Sequence, residues 1–429
     1  MNRAMKDSGI PWIGEIPEGW EIHLIGRNIK EVQNINTECV ESNALQFQMG
    51  SIIPKSRGNS KYTPETLASY NIVDRGDIMI NGLNLSFDFI SQRIGQVKER
   101  GVITSAYLAV RPDDTFSSDY LTYLLKSYDN CKALHGMGKG LRQTLLYKEF
   151  RRYCVIVPPV AEQEAIAAFL DRKCGEVDEM VSLQEQVIEE LKAYKQSVIT
   201  EAVTKGLNPS APMKPSNIDW IGQIPTHWDT ARIKNVFMLQ TGSTPKGYDE
   251  EITDEDDVIC WFTPSDILDD FSELSSSSRK LKSSIIDKNN IRLNPIGTLI
   301  FVGIGSVGKI GYSLVESYSN QQITSMIPTQ GFSKYYYFFM VAAKDSIKDK
   351  AFFTILPIVN NSYLSKIEIV FPPLSEQREI ADYLDRKCAD IDALIALKQQ
   401  KIEDLKQYKK SLIYEYVTGK KQTPNYVFQ

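Results

Sequence analysis

A chain of 429 residues, 42% hydrophobic and 24% charged with a formal net charge of −5, can fill several ordinary cores, which excludes a disordered or fibrous polymer. The apolar stretch Tyr335 to Ala343 is far shorter than the ~20 residues needed to cross a bilayer, and no basic region followed by an apolar run stands at the amino terminus. A cytoplasmic protein without a membrane span is expected. Six cysteines with no CxxC pair and three histidines leave no zinc-ligand spacing, and the thiols are expected to be buried in a reducing compartment.

The chain opens on WIGEIPEGW, Trp12 to Trp20, and the same pattern returns as WIGQIPTHW, Trp220 to Trp228, at an offset of 208 residues (12 to 220). After the first opening, β-rich runs separated by turns predict a mixed domain over residues 1–157. Its strands are expected at Gly76 to Ile80, Ile103 to Val110 and Tyr153 to Pro159, with a helical run near Tyr120 to Tyr128. Next comes PPVAEQEAIAAFLDRKC, Pro158 to Cys174, repeated as PPLSEQREIADYLDRKC, Pro372 to Cys388, at an offset of 214 (174 to 388). A period this long marks duplicated domains and not a solenoid.

The paired prolines forbid helix upstream of each repeat, and Glu162 and Glu376 place negative charge in the first turn. From Ala161 to Thr204 an apolar stripe steps alternately by four and three, the spacing of a coiled-coil seam. It runs Leu170, Cys174, Val177, Val181, Gln184, Ile188, Leu191, Lys195, Val198, Ala202. The second copy reads Leu384, Cys388, Ile391, Ile395, Lys398, Ile402, Leu405, Lys409, Leu412, Tyr416. Polar residues recur at Gln184 with Lys398 and at Lys195 with Lys409, which costs stability and restricts register. Pairing of the two helices is preferred to each lying on its own domain. Cys174 and Cys388 fit either a disulfide or small-residue packing within a helix, and the second is preferred.

Residues 158–206 are thus one helix, 207–219 a linker, 220–371 a second mixed domain, and 372–429 the second helix with a tail. In the second domain, Gly297 to Phe301, Ile323 to Pro328 and Ile367 to Pro373 read as strands, and Tyr335 to Lys344 as helix. The fold class is α+β: two similar mixed domains and two long helices forming an antiparallel coiled coil.

Val302 to Gly311, VGIGSVGKIG, imitates both GxGxxG and the phosphate loop. Ile310 follows Lys309 where Ser or Thr would hold magnesium, and β-rich sequence follows where a helix is required, so a glycine-rich β-turn is expected. The amino-methyltransferase, GxSxG, HExxH and Walker signatures are missing, which turns the reading toward recognition. Acidic net charge argues against nucleic acid, yet basic and amide residues gather in predicted loops. These are Lys55, Arg57, Asn59, Lys61, Lys139, Arg142 and Gln143 in the first domain, and Arg279, Lys280, Lys282, Asn320, Gln321 and Gln322 in the second. Amides suit adenine edges and arginine suits guanine. The acidic run Asp249 to Asp257 should face away from phosphate.

With the openings, the PPxxEQ helix starts and the LDRK-containing helices in order, the chain resembles the specificity subunit of type I restriction-modification systems along nearly its whole length. The resemblance implies two target-recognition domains, each reading half of a bipartite site in double-stranded DNA. It implies helices that set the gap and dock two methyltransferase subunits, with restriction and translocase subunits as further partners. It also implies no catalysis and no cofactor in this chain, S-adenosylmethionine, ATP and magnesium belonging to the partners. WFTPSDI (Trp261 to Ile267) and the turn with Gly305, Ser306, Gly308 and Lys309 match recurrent pieces of recognition domains. The first domain departs, with LQFQMGSI (Leu45 to Ile52) and NGLNLSFD (Asn81 to Asp88) in their places. The candidate DNA contacts are Lys55, Arg57, Lys61, Asn81, Asn84, Lys139, Arg142, Gln143, Lys246, Ser265, Ser306, Lys309, Asn320, Gln321 and Asn360. The competing readings are a stand-alone DNA methyltransferase, which cofactor binding would reveal, and a two-headed scaffold, which a sequence-specific footprint would exclude.

Overall fold

The repeated opening folds as a short hairpin twice over. Met5–Asp7 pairs antiparallel with Glu15–Pro17, and Met213–Pro215 pairs with Gln223–Pro225 in the same register 208 residues later. The structure is a computed structural model. It describes residues 3–55, 63–85, 92–135, 144–245, 258–268, 272–282, 285–286, 291–349, 352–353 and 357–424. The candidates Arg57, Lys61, Lys139, Arg142, Gln143 and Lys246, and the acidic run 249–257, lie outside the described residues.

The chain divides into two compact units. Unit 1 is Met1–Glu185 with Gln399–Gln429, and unit 2 is Gln186–Lys398. This division differs from domains followed by helices, because each long helix gives one part to each unit. The expected linker also carries structure, since Met213–Pro215 is the first strand of the second hairpin.

Unit 1 is built around an antiparallel sheet in the order Ile29–Glu31, Leu108–Pro112, Ile78–Ile80, Ile94–Gln96. Unit 2 repeats the order with Phe237–Thr241, Ile323–Pro328, Leu299–Val302 and Ile310–Ser313, then adds Ser272–Leu274 in parallel at the edge. A helix covers each sheet, Ser118–Asn130 and Ser333–Asp349. The predicted strand Ile103 to Val110 is two strands in different sheets. Gly101–Ile103 pairs with Asn71–Val73, while Leu108–Pro112 joins the central sheet. The turn at Thr104 to Tyr107, closed by the Tyr107 amide on the Thr104 carbonyl, interrupts an otherwise β-rich run.

The long helices are Val160–Lys205 and Leu374–Val417. In unit 1 the start of the first lies against the end of the second, antiparallel: Phe169 meets Tyr416 at 4.4 Å and Asp178 meets Lys409 at 2.6 Å. In unit 2, Lys195 reaches Asp392 at 2.7 Å with its side chain only 7% exposed. The two seam lysines thus bond the aspartates that are each other's repeat mates. Seam residues Leu170, Val177, Ile188, Leu384, Ile391, Ile402, Leu405 and Leu412 are buried, and Val181, Leu191, Val198 and Ile395 are half-buried. Near the helix ends the buried stripe swings to Ile166, Ile199, Val203, Ile413 and Val417, because there the helices pack on the mixed domains as well as on each other.

The tryptophan openings anchor these junctions. Trp12 packs edge-on against Tyr128 at 5.6 Å and Trp220 tilts against Phe339 at 5.4 Å. Ile13 and Ile16 are buried, each worth about 1.5–3 kcal/mol. Trp20 and Trp228 are fully buried, and each donates its indole N–H to the helix-start glutamate, Glu162 or Glu376, at 2.9 Å. The neighbouring glutamines, Gln163 and Gln377, accept the backbone amides of Ser117 and Phe332 and donate to the Pro158 and Pro372 carbonyls. The PPxxEQ segment is therefore a clamp that fixes each sheet-covering helix to a long helix. Among the thiols only Cys174 and Cys388 are buried. Cys39, Cys131 and Cys154 are exposed and Cys260 is half-buried, none of the six in a disulfide, which corrects the expectation of uniform burial.

Candidate nucleic-acid interface

In unit 2, four segments converge at one end of the central sheet through backbone bonds. The Ser243 amide donates to the Ser319 carbonyl (2.8 Å), the Gly303 amide to Gln322 (2.9 Å), and the Val359 amide to Gly303 (2.9 Å). Gly303 is required here, because a Cβ would stand 2.7 Å from the Val359 carbonyl oxygen. The glycine-rich turn follows, with Gly305 and Gly308 left-handed at φ +82° and +93°, and the strand Ile310–Ser313 comes next, so no helix amino terminus is available to cradle a phosphate.

This end carries amide and hydroxyl groups already bonded to one another. Thr244 donates to the Gln321 side chain, Thr324 to Asn361 Oδ1 at 2.6 Å, and Asn361 Nδ2 to Thr241 at 2.9 Å. Gln321 and Ser306 are exposed. Asn320 is buried and shapes the turn, its Oδ1 accepting the Gln322 amide at 3.1 Å. Asn360 caps the helix Asn361–Leu364 by accepting the Tyr363 amide at 2.9 Å. These two act on the loop from within. Lys309 donates to the Ile267 carbonyl at 3.3 Å, tying the glycine turn to WFTPSDI. Within that segment Asp266 accepts from Thr263 and Ser278 at 2.7–2.8 Å, leaving Ser265 exposed. Burial works against the Asp266 charge, yet the bonds from Ser278 and Thr263 hold its carboxyl below the usual aspartate range. Thr241, Thr244, Thr324 and Asn361 join the network with no distinguishing sequence pattern.

Unit 1 rebuilds the frame with other residues. The Leu145 amide donates to the Gly82 carbonyl at 2.9 Å, as Val359 does to Gly303, and a Cβ on Gly82 would again stand 2.7 Å from a carbonyl oxygen. Asn34 is exposed, its amide held by Asn71 Oδ1 at 2.6 Å. Asn81 is half-buried, Asn84 is exposed, and Lys55 lies 5.3 Å over the Tyr70 ring. LQFQMGSI is a hairpin of Leu45–Gln48 and Ser51–Pro54 turning at Met49 and Gly50, both at positive φ, and not a counterpart of the WFTPSDI turn.

A cleft of about 530 Å³ beside the helix Ser333–Asp349 is lined by Glu273, Lys334, Asp385 and Asp392. Lys334 is bonded to Glu273 and to Asp385 (3.3 Å) and lies 4.7 Å over Tyr312, so it fastens the edge strand to the helices. Among the described residues no group of His, Cys, Asp and Glu is placed to hold a metal ion, and no helix is long and apolar enough to cross a membrane. The long helices also expose apolar side chains at repeat-related positions: Met180 (50% exposed), Leu183 (56%) and Tyr408 (54%) in unit 1, and Leu394 (47%), Leu397 (66%) and Tyr194 (51%) in unit 2.

Residues 225–407 match the family described as type I restriction modification DNA specificity domain. The chain is 24% identical over 443 residues to the type I restriction enzyme MjaVIII specificity subunit of Methanocaldococcus jannaschii, covering 96% of this chain and 95% of that protein. It is 22% identical over 310 residues to the EcoDI specificity subunit of Escherichia coli, covering 65% and 64%. Its fold matches a chain from a structural study of complex assembly and conformational transition of the type I R-M system, with TM-score 0.72, 15% identity and coverage of 94% and 99%. It also matches the HsdS subunit from Thermoanaerobacter tengcongensis, with TM-score 0.51, 15% identity and coverage of 94% and 98%.

Proposed function

We propose that this chain, which is similar to type I restriction-modification specificity subunits along nearly its whole length and matches their specificity domain over residues 225–407, is the DNA-reading, non-catalytic subunit of such a complex in the cytoplasm. Each unit reads one half of a split site in double-stranded DNA. Candidate contacts are Asn81, Asn84 and Lys55 in unit 1 and Ser265, Ser306, Lys309 and Gln321 in unit 2; Asn320 and Asn360 shape the second set. Arg57, Lys61, Lys139, Arg142, Gln143 and Lys246 remain candidates from sequence. Base contacts specify while cationic contacts to phosphate position.

The observation that carries this reading is a shared frame with chemically different ends. Gly82 and Gly303 make the same backbone link, yet asparagines follow in one unit and a glycine turn beside glutamines in the other. Two half-sites of different sequence are the expected result. The long helices, 46 and 44 residues, set the gap; at ~1.5 Å per residue they bound the span of read bases at ~20 base pairs of ~3.4 Å.

The exposed apolar residues occur as repeat mates, so they fit two copies of one partner, the methyltransferase subunits. Restriction and translocase subunits complete the assembly, and S-adenosylmethionine, ATP and magnesium are bound by the partners. Leu183→Asp with Leu397→Asp should weaken methyltransferase binding in a pull-down of the assembled complex. The decisive experiment is genome-wide mapping of methylated adenines with the chain present and deleted. Loss of a split motif on deletion is expected. An unchanged map in cells that express the methyltransferase overturns the reading.

A further inference from the structure

We propose that Asn84 is a base-reading side chain of the first recognition unit, directed at an adenine edge, and that the buried Arg93 positions it. The proposal rests on the reading above that this unit contacts DNA.

The loops NGLN (Asn81 to Asn84) and VGIG (Val302 to Gly305) follow one path. Their second residues, Gly82 and Gly303, make the same bond to an incoming amide, at 2.9 Å in both. Two residues on, Asn84 and Gly305 are both left-handed, at φ +53° and +82°. Asparagine is among the few L-residues that enter this region at small cost. The first unit therefore has an amide side chain where the second has none. In the second unit the nearest amide is that of Gln322, its nitrogen 3.9 Å from where a Cβ on Gly305 would stand, so it arrives from a different loop.

What lies under the loop is as informative as its tip. Arg93 is fully buried, and its guanidinium donates to the carbonyls of Asn81 (2.9 Å), Leu83 (2.8 Å) and Asn84 (3.5 Å). The Leu83 amide donates back to Asn81 Oδ1 at 3.2 Å. Burying a guanidinium is costly and holding backbone carbonyls with it is rigidifying. A loop that met only solvent would gain nothing from that rigidity. For base reading it removes the ordering cost that a mobile amide would incur on binding. A side-chain amide offers a donor and an acceptor side by side, which matches N6 and N7 of adenine in the major groove.

The test uses the full chain in complex with its methyltransferase subunits, methylating a plasmid library randomised in the first half-site. Asn84→Gly keeps the left-handed backbone without strain and removes only the amide. It should relax discrimination at one adenine position of the first half-site by roughly 5- to 150-fold and leave the second half-site unchanged. Arg93→Lys keeps the charge but cannot span three carbonyls, and should relax the same position. A merely structural role would instead lower methylation at all sites alike. Unaltered discrimination in Asn84→Gly, or a uniform loss in Arg93→Lys, overturns the proposal while the split motif of the unaltered chain stands. No split motif from the unaltered chain overturns the underlying reading as well.

Discussion

Removing the helix-start glutamate should cost unequal amounts in the two units, although the motif around it is the same. Glu162 is 3% exposed and accepts three bonds, two from the Arg3 guanidinium at 2.6 and 3.0 Å and one from the Trp20 indole at 2.9 Å. Glu162→Ala orphans a buried indole N–H and takes the ion pair from a largely buried guanidinium, a loss of about 3–5 kcal/mol. Glu376 is 32% exposed, and its second side-chain partner is the His227 imidazole, itself 47% exposed, at 2.7 Å. Water can replace that contact, so Glu376→Ala forfeits mainly the Trp228 bond, about 1–3 kcal/mol. Glu162→Gln keeps an acceptor for the indole but not the ion pair, and should fall between. Hydrogen exchange of the hairpins Met5–Pro17 and Met213–Pro225 in one sample reads both units, each serving as control for the other. Equal loosening by Glu162→Ala and Glu376→Ala, or an unperturbed hairpin in Glu162→Gln, would refute the argument that burial of the ion pair sets the difference.

The glycines that end the long helices should also differ. Gly419 and Gly206 are left-handed, but a Cβ would stand 2.6 Å from Pro17 in the first and 3.1 Å from Trp228 in the second. Gly419→Ala should therefore exceed the backbone cost of about 1–2 kcal/mol and lower the melting temperature more than Gly206→Ala, measured by calorimetry. Because the Asp266 carboxyl is held below its ordinary value of 3.8, the stability it lends the Thr263–Ser278 turn is present above that value and lost as pH falls through the folded one. Exchange of the Ser278 amide should accelerate over that acid window, and Asp266→Asn should abolish the pH dependence. Burial pushes the Cys388 thiol up to about 11, whereas Cys39 is exposed. Iodoacetamide at about pH 8 should label Cys39 well before Cys388, and Cys388 labelling should climb as pH rises toward its thiol value; equal rates at both would contradict the burial.

The repeat made the frame legible because its strongest signals are geometric obligations. Pro158-Pro159 must precede a helix, Gly206 must leave one, and alternating steps of four and three must face a partner. The long helices stand where those signals place them, and the recurrence of the openings and of the β-rich runs is matched by equivalent hairpins and sheets in the two units. Less legible were features that depend on a distant residue. Lys195 reads as a polar interruption until Asp392 is brought to it, and Glu162 reads as a helix-start charge until Trp20 and Arg3 arrive. At the candidate interface, composition singled out Asn320 and Asn360, yet turn geometry has committed both to their own loops. The sequence set NGLN in the place of the glycine turn, but their common path was not legible, because backbone handedness, not residue identity, is what the two loops share.

The division of the chain into a continuous unit and an interrupted one has a consequence for biosynthesis. Residues 186–398 leave the ribosome as one stretch, and every element of unit 2 is available before translation ends. Unit 1 must wait. Tyr120 bonds the Val417 carbonyl, Tyr414 and Lys420 bond the backbone at Trp12 and Ile13, and Gly419 lies beneath Trp20. The half of the protein made first is thus the half completed last, holding its apolar face open while more than two hundred residues are added. A premature stop after Lys398 would spare the unit that was synthesised later and leave the earlier one without the helix that closes its core.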